Sequence, residues 1–276
     1  MIDLHSHILP GIDDGARDIE HSLRMCASSY RDGCRAMVAT PHLRHERYWN
    51  DDRALLEQQH RLLCQAVLLS LGPDFQVLLG GEIAVSSESL LEIDQMPAGS
   101  LLSLAGSRYL LLELSHHGMG PDPVEMVHEL RIAGWRPILA HPERIAWLAA
   151  DSGLLAAMID HGAHLQLTAM SLTGDFGPAM QNISRRMMDK GWVHFIASDC
   201  HDNRLRPPTL SAAREAVQNH WGHEVGNALF EENPRAVLED RPLAPNPSIQ
   251  SGSIQPTDRP SSWQRLRSKL WGTKPN

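Results

Sequence analysis

The sequence has no run of 18 apolar residues among its 276, so no segment reads as a membrane-spanning helix. Its first residues, MIDLHSHI, hold neither a basic stretch nor the apolar core of a secretory signal. The four cysteines (Cys26, Cys34, Cys64 and Cys200) form no CxxC pair and no zinc-finger spacing. They are expected as reduced thiols, which suits a cytoplasmic protein. Positive charge is also scarce, with a formal net charge of −8. That argues against a nucleic-acid partner held by a basic surface. No internal repeat is found. What is plentiful is histidine, with 16 residues. Imidazole is the commonest metal ligand and titrates near neutrality.

Hydrophobic residues make up 42% and charged residues 21%, the balance of a folded globular body. Seven strands are predicted, at Ile2–His7, Arg35–Thr40, Phe75–Ile83, Tyr109–Ser115, Pro137–His141, His164–Thr168 and Val193–Ser198. Helical stretches alternate with them near Asp18–Asp32, Asp51–Leu71, Pro123–Ala133, Asp151–His161, Gly177–Lys190 and Thr209–Glu231. Such alternation implies an α/β fold with a parallel sheet, open or closed. A barrel is preferred, because candidate functional residues end almost every strand and a barrel gathers all those ends on one face. Residues 1–241 read as the barrel and 242–261 as a Pro/Ser-rich linker. Residues 262–276 form a basic tail. Arg259, Arg265, Arg267, Lys269 and Lys274 face no acidic neighbour in the last 18 residues, which leaves residues 1–258 near −13.

The chemistry-bearing residues sit at those strand ends. His5-Ser6-His7 closes the first strand, and alternation puts both imidazoles on one face. Asp13-Asp14-Gly15 follows it; alone it reads as a turn. His42 lies just past the second strand. Glu82, Glu113 and His141 end the third, fourth and fifth, and Asp199 and His201 end the seventh. Six of seven strands thus deliver a His, Asp or Glu to one face. Mixed imidazole and carboxylate ligands suit Mn, Fe or Zn. The number of groups exceeds one ion's needs and points to two or three metals bridged by a carboxylate.

The segments HSHILPGIDDGA, ATPH, GGEI, LLELS, HPER and SDCH, with TAMSLTGDFG and Arg206-Pro207-Pro208, resemble the PHP (polymerase and histidinol phosphatase) superfamily. Within it they are most similar to the bacterial metal-dependent protein-tyrosine phosphatases of capsule and exopolysaccharide operons. The resemblance covers about residues 1–240. It implies a distorted (β/α)7 TIM-like barrel, a single domain whose trinuclear site is usually loaded with Mn²⁺, with Fe, Zn, Co or Mg as alternatives. It implies that His5, His7, Asp199 and a bridging Glu82 hold one metal. Glu82, Glu113 and His141 would hold the second, and Asp14, His42 and His201 the third. Arg144 and Arg206 match the family's phosphate-contacting arginines, and His42 and His201 are candidate general acids. The implied reaction is hydrolysis of phosphotyrosine by a water that metal ions have activated. The implied partner is a membrane-anchored tyrosine autokinase controlling polysaccharide synthesis. A small-molecule phosphatase of the histidinol-phosphate type is the alternative.

Two features compete with this reading. Cys200 and Arg206 stand in a Cys-x5-Arg spacing, the mark of cysteine-dependent phosphatases. The intervening residues include no glycine, and Asp199 and His201 suit a metal better; Cys200 is expected to pack as a small hydrophobe. His45, Arg44 and Arg47 read as a solvated loop, with contact to a phosphopeptide as the other reading. His116 and His117 read equally as pocket rim or surface. The tail is either a solubilising extension or a short amphipathic helix, with Trp263, Leu266, Leu270 and Trp271 opposed to its cations, resting on the inner face of an anionic membrane.

Overall fold

The computed structural model describes residues 1–86, 102–118 and 120–245. The tail and all of the linker beyond 245 lie outside the described residues. Among the described residues there are nine parallel strands: β1 Ile2–Ser6, β2 Ala36–Ala39, β3 His42–Leu43, β4 Gln76–Leu79, β5 Glu82–Val85, β6 Tyr109–Leu114, β7 Arg136–Ala140, β8 His164–Thr168 and β9 Val193–Ala197. They form a three-stranded sheet in the order β1-β2-β4 and a six-stranded sheet in the order β3-β5-β6-β7-β8-β9. At one join, a parallel bridge links Ser6 to Cys200, with His7 N–H donating to Cys200 O at 3.0 Å and Asp199 N–H to His5 O at 2.9 Å. At the other, β2 runs into β3 and β4 into β5. Gly80 N–H to Ala39 O (2.8 Å) and Glu82 N–H to Pro41 O (3.0 Å) carry the pairing across. The strands therefore follow one another around a distorted barrel.

The single strand expected at Phe75–Ile83 is a correction. It breaks at Gly80-Gly81 into β4 and β5, and β3 is an added short strand beyond Pro41. The break is steric: a Cβ on Gly81 would stand 2.2 Å from Leu43 Cδ1, and one on Gly80 2.9 Å from Leu104 Cδ2. Only glycine permits that approach. Glu82 is thereby the first residue of β5 rather than the last of a longer strand.

Strand alternation divides the core. Ile2, Leu4, Val38, Tyr109, Leu111, Ile138 and Phe195 form an inner cluster. Residues of the other parity, including Met37, Leu110, Leu112, Leu139, Leu165 and Leu167, pack with Met25, Leu63, Val127, Met158 and Met187 of the surrounding helices. Several of those helices start where aspartate caps them. Asp18 accepts from His21 N–H before α1 (Ile19–Arg31), and Asp52 from Leu55 N–H before α2 (Arg53–Leu71). Asp122 precedes Pro123 at the start of α3 (Pro123–Ile132). The helix expected over Thr209–Glu231 is instead broken. Its first part ends at Trp221, where Gly222 takes φ of +97°, and a π-helical stretch follows at Ala228–Glu232.

Candidate metal centre

All nine residues singled out as ligands come together at one mouth of the barrel, most at or just past the C-terminal ends of strands and His42 and Glu82 at the starts of β3 and β5, in four overlapping groups. These are His7, Asp14, His42 and His201; His5, Glu82 and His141; His5, His7 and Asp199; and His42, Glu82 and Glu113. Within each group the ligand atoms lie within 4.8 Å of one another. The groups differ from the implied partition: His7 also joins the Asp14 group, His5 rather than Glu113 stands with Glu82 and His141, His42 joins the Glu82–Glu113 pair, and Glu82 is not grouped with His5, His7 and Asp199.

Glu82 is the hub. Its Oε2 lies 3.3 Å from His5 Nε2, 3.3 Å from His7 Nε2 and 3.0 Å from His42 Nδ1, and its Oε1 lies 2.9 Å from His141 Nε2. Glu82 Oε2 and His42 Nδ1 are buried yet make no hydrogen bond. Converging nitrogen and oxygen lone pairs of this kind fit a cation between them, and the donor set suits a borderline or hard divalent metal. Asp14 Oδ1 stands 3.4 Å from both His42 Nε2 and His201 Nε2. Asp199 Oδ1 stands 3.4 Å from His5 Nε2 and 3.5 Å from His7 Nε2. Its Oδ2 accepts from Arg144 Nη1 at 2.5 Å and is also in contact with Arg206 Nη2.

Local structure aims these groups. The β1–β2 register shifts between Asp3 and Ser6, so Leu4 joins the inner cluster while His5 still reaches the barrel mouth. His141 (φ +34°) and Asp199 (φ +51°) sit in the left-handed region at the ends of β7 and β9. Such backbone strain at a strand end is typical of functional positions. Gly15 lies against His7, where a Cβ would come 2.0 Å from His7 O.

Charge balances inside the cluster. Burial alone would push the Glu82 carboxyl up, but His5, the hydrogen bond with His141 and the neighbouring His42 ring hold it well below the usual carboxylate range. Burial is likewise outweighed at Asp199 by His5, His7 and Arg206. Burial would depress His42, yet Asp14 and Glu82 carry it up to about 10. At His201 burial and the neighbouring His7 win, and its pKa falls. Anionic carboxylates thus hold protons on imidazoles that metal ions would displace.

Several supporting residues escaped the sequence reading. Asp13, which the sequence presents as a turn residue, has its Oδ2 2.8 Å from His7 Nδ1 and accepts from His42 N–H at 3.0 Å. Gln166 Oε1 lies 2.8 Å from His5 Nδ1. A lone glutamine between Leu165 and Leu167 was the available signal. Asp3, pushed up to about 6 by burial, accepts from Ser198 N–H and Oγ–H and ties β1 to β9. The buried Glu143 of HPER accepts from Thr168 N–H rather than joining the ligands. His45, expected in a solvated loop, instead packs its ring on His42 at 4.8 Å between centroids. His116 Nε2 reaches within 3.6 Å of Glu113 and is rim-like. Cys200 is fully buried in the outer core, and burial holds its thiol well above the usual range. A thiol so placed is no nucleophile, which removes the cysteine mechanism.

The family model of capsular polysaccharide synthesis, CpsB/CapC, matches residues 1–239. Tyrosine-protein phosphatase YwqE of Bacillus subtilis is 32% identical over 247 residues, covering 90% of this chain and 95% of that protein. Tyrosine-protein phosphatase CpsB of Streptococcus pneumoniae is 28% identical over 246 residues, covering 87% and 99%. A crystal structure from work on YwqE and CpsB, described as unique metal-dependent tyrosine phosphatases, superposes with a TM-score of 0.82 at 30% identity. It covers 88% of this chain and 96% of that one.

Proposed function

We propose that this chain, which belongs to the CpsB/CapC family of capsular polysaccharide synthesis, is a metal-dependent phosphatase of phosphotyrosine in proteins. The observation that carries the reading is the convergence of four histidines on the buried Glu82 carboxylate beside the two arginines on Asp199. The relatives' names and the described metal dependence of the matching structure support it.

His5, His7, Asp14, His42, Glu82, Glu113, His141, Asp199 and His201 are the proposed ligands, with Mn²⁺ as the proposed resident ion. When bound, the ions offset the phosphate charge and supply a water acidic enough to attack near neutrality. Arg144 and Arg206 orient the substrate. Each is tethered through Asp199 Oδ2, and Arg206 Nε is buried without a partner. Their remaining N–H groups are donors for phosphoryl oxygens, where forked charge-assisted bonds are strongest. His42 and His201 both face Asp14 and act as ligands rather than proton donors, so the leaving oxygen takes its proton from solvent. A tyrosyl leaving group, with a pKa near 10, asks little of that proton.

The proposed physiological substrate is the phosphorylated tyrosine of a membrane-anchored autokinase that controls capsule or exopolysaccharide chains. The proposed location is the cytoplasm, at the inner face of the membrane. No described helix is long and apolar enough to cross a membrane. The chain is proposed to comprise a barrel of residues 1–241, a linker of 242–261 and a tail of 262–276 available for peripheral contact.

Phosphate release from a phosphotyrosine peptide, run beside histidinol phosphate with Mn²⁺ present, tests the reading. Turnover of the peptide is expected, with loss of at least a hundredfold on Arg144→Ala or Arg206→Ala. Release from histidinol phosphate alone would move the chain to the small-molecule alternative.

A further inference from the structure

The loop after β3 carries a stack of rings on the metal centre that the reaction above does not use. His45 and Tyr48 both pack against His42, with centroids 4.8 and 5.9 Å from its ring and interplanar angles of 32° and 10°. They also face each other at 5.9 Å and 25°. His42 itself points inward, its Nδ1 toward Glu82 and its Nε2 toward Asp14. Its ring is nearly buried, whereas His45 and Tyr48 are half-buried. A continuous aromatic surface therefore leads from the centre to solvent.

The loop is built to hold that surface still. Arg44 N–H donates to Trp49 O at 2.7 Å, and Tyr48 N–H to His45 O at 3.0 Å. The Asn50 side chain donates to His42 O at 2.9 Å and to Ile12 O at 3.3 Å. Arg44 and Asn50 both take left-handed backbone, with φ of +58° and +45°. A strained non-glycine position fixed by several hydrogen bonds signals a constraint with a use.

We propose that His45 and Tyr48 form an aryl-binding face that selects aromatic over alkyl phosphate esters. The proposal rests on the phosphate site described above. With the phosphoryl group at the metal centre, the ester substituent must leave on the open side. A phenyl ring has a π face to stack there, and aromatic pairs favour offset or tilted contact. A short alkyl chain has none. Phe176 is the useful contrast. Its ring lies 5.6 Å from Arg144 Cζ, so it supports a phosphate-binding arginine and should affect all phosphate esters alike.

The test is calorimetric titration of the Mn²⁺-loaded full chain with phenylphosphonate and with propylphosphonate, neither of which is hydrolysed. The wild type should prefer phenylphosphonate by roughly tenfold, the scale of one or two ring contacts. His45→Ala with Tyr48→Ala should bring the ratio close to one with manganese content retained. Tyr48→Phe should restore most of the preference, and Phe176→Ala should weaken both ligands in parallel. An unchanged ratio in the double variant would overturn the aryl face. So would parallel weakening of both phosphonates with loss of manganese, which would make the rings mere supports of His42. Failure of wild type to bind either phosphonate would sink the phosphate site and the aryl face together. Absence of phosphotyrosine hydrolysis with the phenyl preference intact would remove only the phosphatase reading.

Discussion

The Asp13 carboxylate lies 2.8 Å from His7 Nδ1 and takes the His42 backbone N–H at 3.0 Å, and its other oxygen takes Gly15 N–H at 3.1 Å. One side chain thus orients the ring of His7, a proposed ligand just past β1, and the backbone of His42, a proposed ligand on β3. Partners of this kind typically change metal affinity about 10–100-fold. Asp13→Ala is expected to raise the Mn²⁺ concentration for half-maximal activity by that factor, with turnover recovering at high Mn²⁺. A metal titration that overlays the wild type would contradict the role. Most of the proposed ligands were legible because together they end six of the seven predicted strands; Asp14, in the same turn as Asp13, came only through the resemblance. Asp13 was not, because Asp-Asp-Gly has a complete local explanation as a turn. Its partner His42 is 29 residues away, a distance no local pattern spans.

At the scale of elements, the bend between β4 and β5 puts Glu82 under four imidazoles. Gly81→Ala would place a methyl 2.2 Å from Leu43 Cδ1 and 2.8 Å from its Cγ. Overpacking of this sort costs about 1–3 kcal/mol. A lowered Tm together with reduced metal content is expected, because the shift moves Glu82 as well. Gly120→Ala, with open space around its Cβ, is the control. Equal Tm and equal metal content in both variants would refute the steric account of the bend. The seven-strand pattern was readable from apolar runs alternating with helical stretches, but this bend depends on Leu43 of β3 and Leu104, just before β6, packing against the two glycines. Strands β8 and β9 carry a second element-scale consequence. His164 and His194 meet edge to face at 4.8 Å, and Leu165 N–H donates to His194 Nδ1. Burial pushes His194 down to about 4 and His164, beside it, well below its usual value. Above pH 6.5 both folded and unfolded chains hold His194 neutral, so it contributes nothing to pH dependence. As pH falls from 6.5 toward 4 the unfolded chain takes the proton first, and native stability drops by up to about 3 kcal/mol. Denaturant unfolding from pH 7 to 4 should show this acid limb, flattened in His194→Gln. An identical slope in the variant would assign the limb elsewhere.

Across the whole molecule, closure of the strands around the barrel turns separate weak motifs into one site. HxH, ATPH, GGEI, LLELS, HPER and SDCH are distant in sequence, and each has an ordinary explanation. The parallel order of β3-β5-β6-β7-β8-β9 and the Ser6–Cys200 bridge bring their ends together. The same closure settles the Cys-x5-Arg ambiguity. Cys200 N–H bonds to Ser198 Oγ and its side chain packs in the core, while Arg206 turns to Asp199. The spacing alone was ambiguous, but the lack of glycine between the two residues and the metal-suited neighbours of Cys200 already favoured the packed thiol that the buried side chain shows. Catalysis is thus proposed to rest on the metal centre and its two arginines, and not on the thiol. The most direct measurement is phosphate release from a phosphotyrosine peptide by chelator-stripped full chain, before and after return of Mn²⁺, beside Cys200→Ala. The account predicts no release after stripping, recovery with Mn²⁺, and the same behaviour in the cysteine variant. Release that survives metal removal and disappears with Cys200→Ala would contradict it.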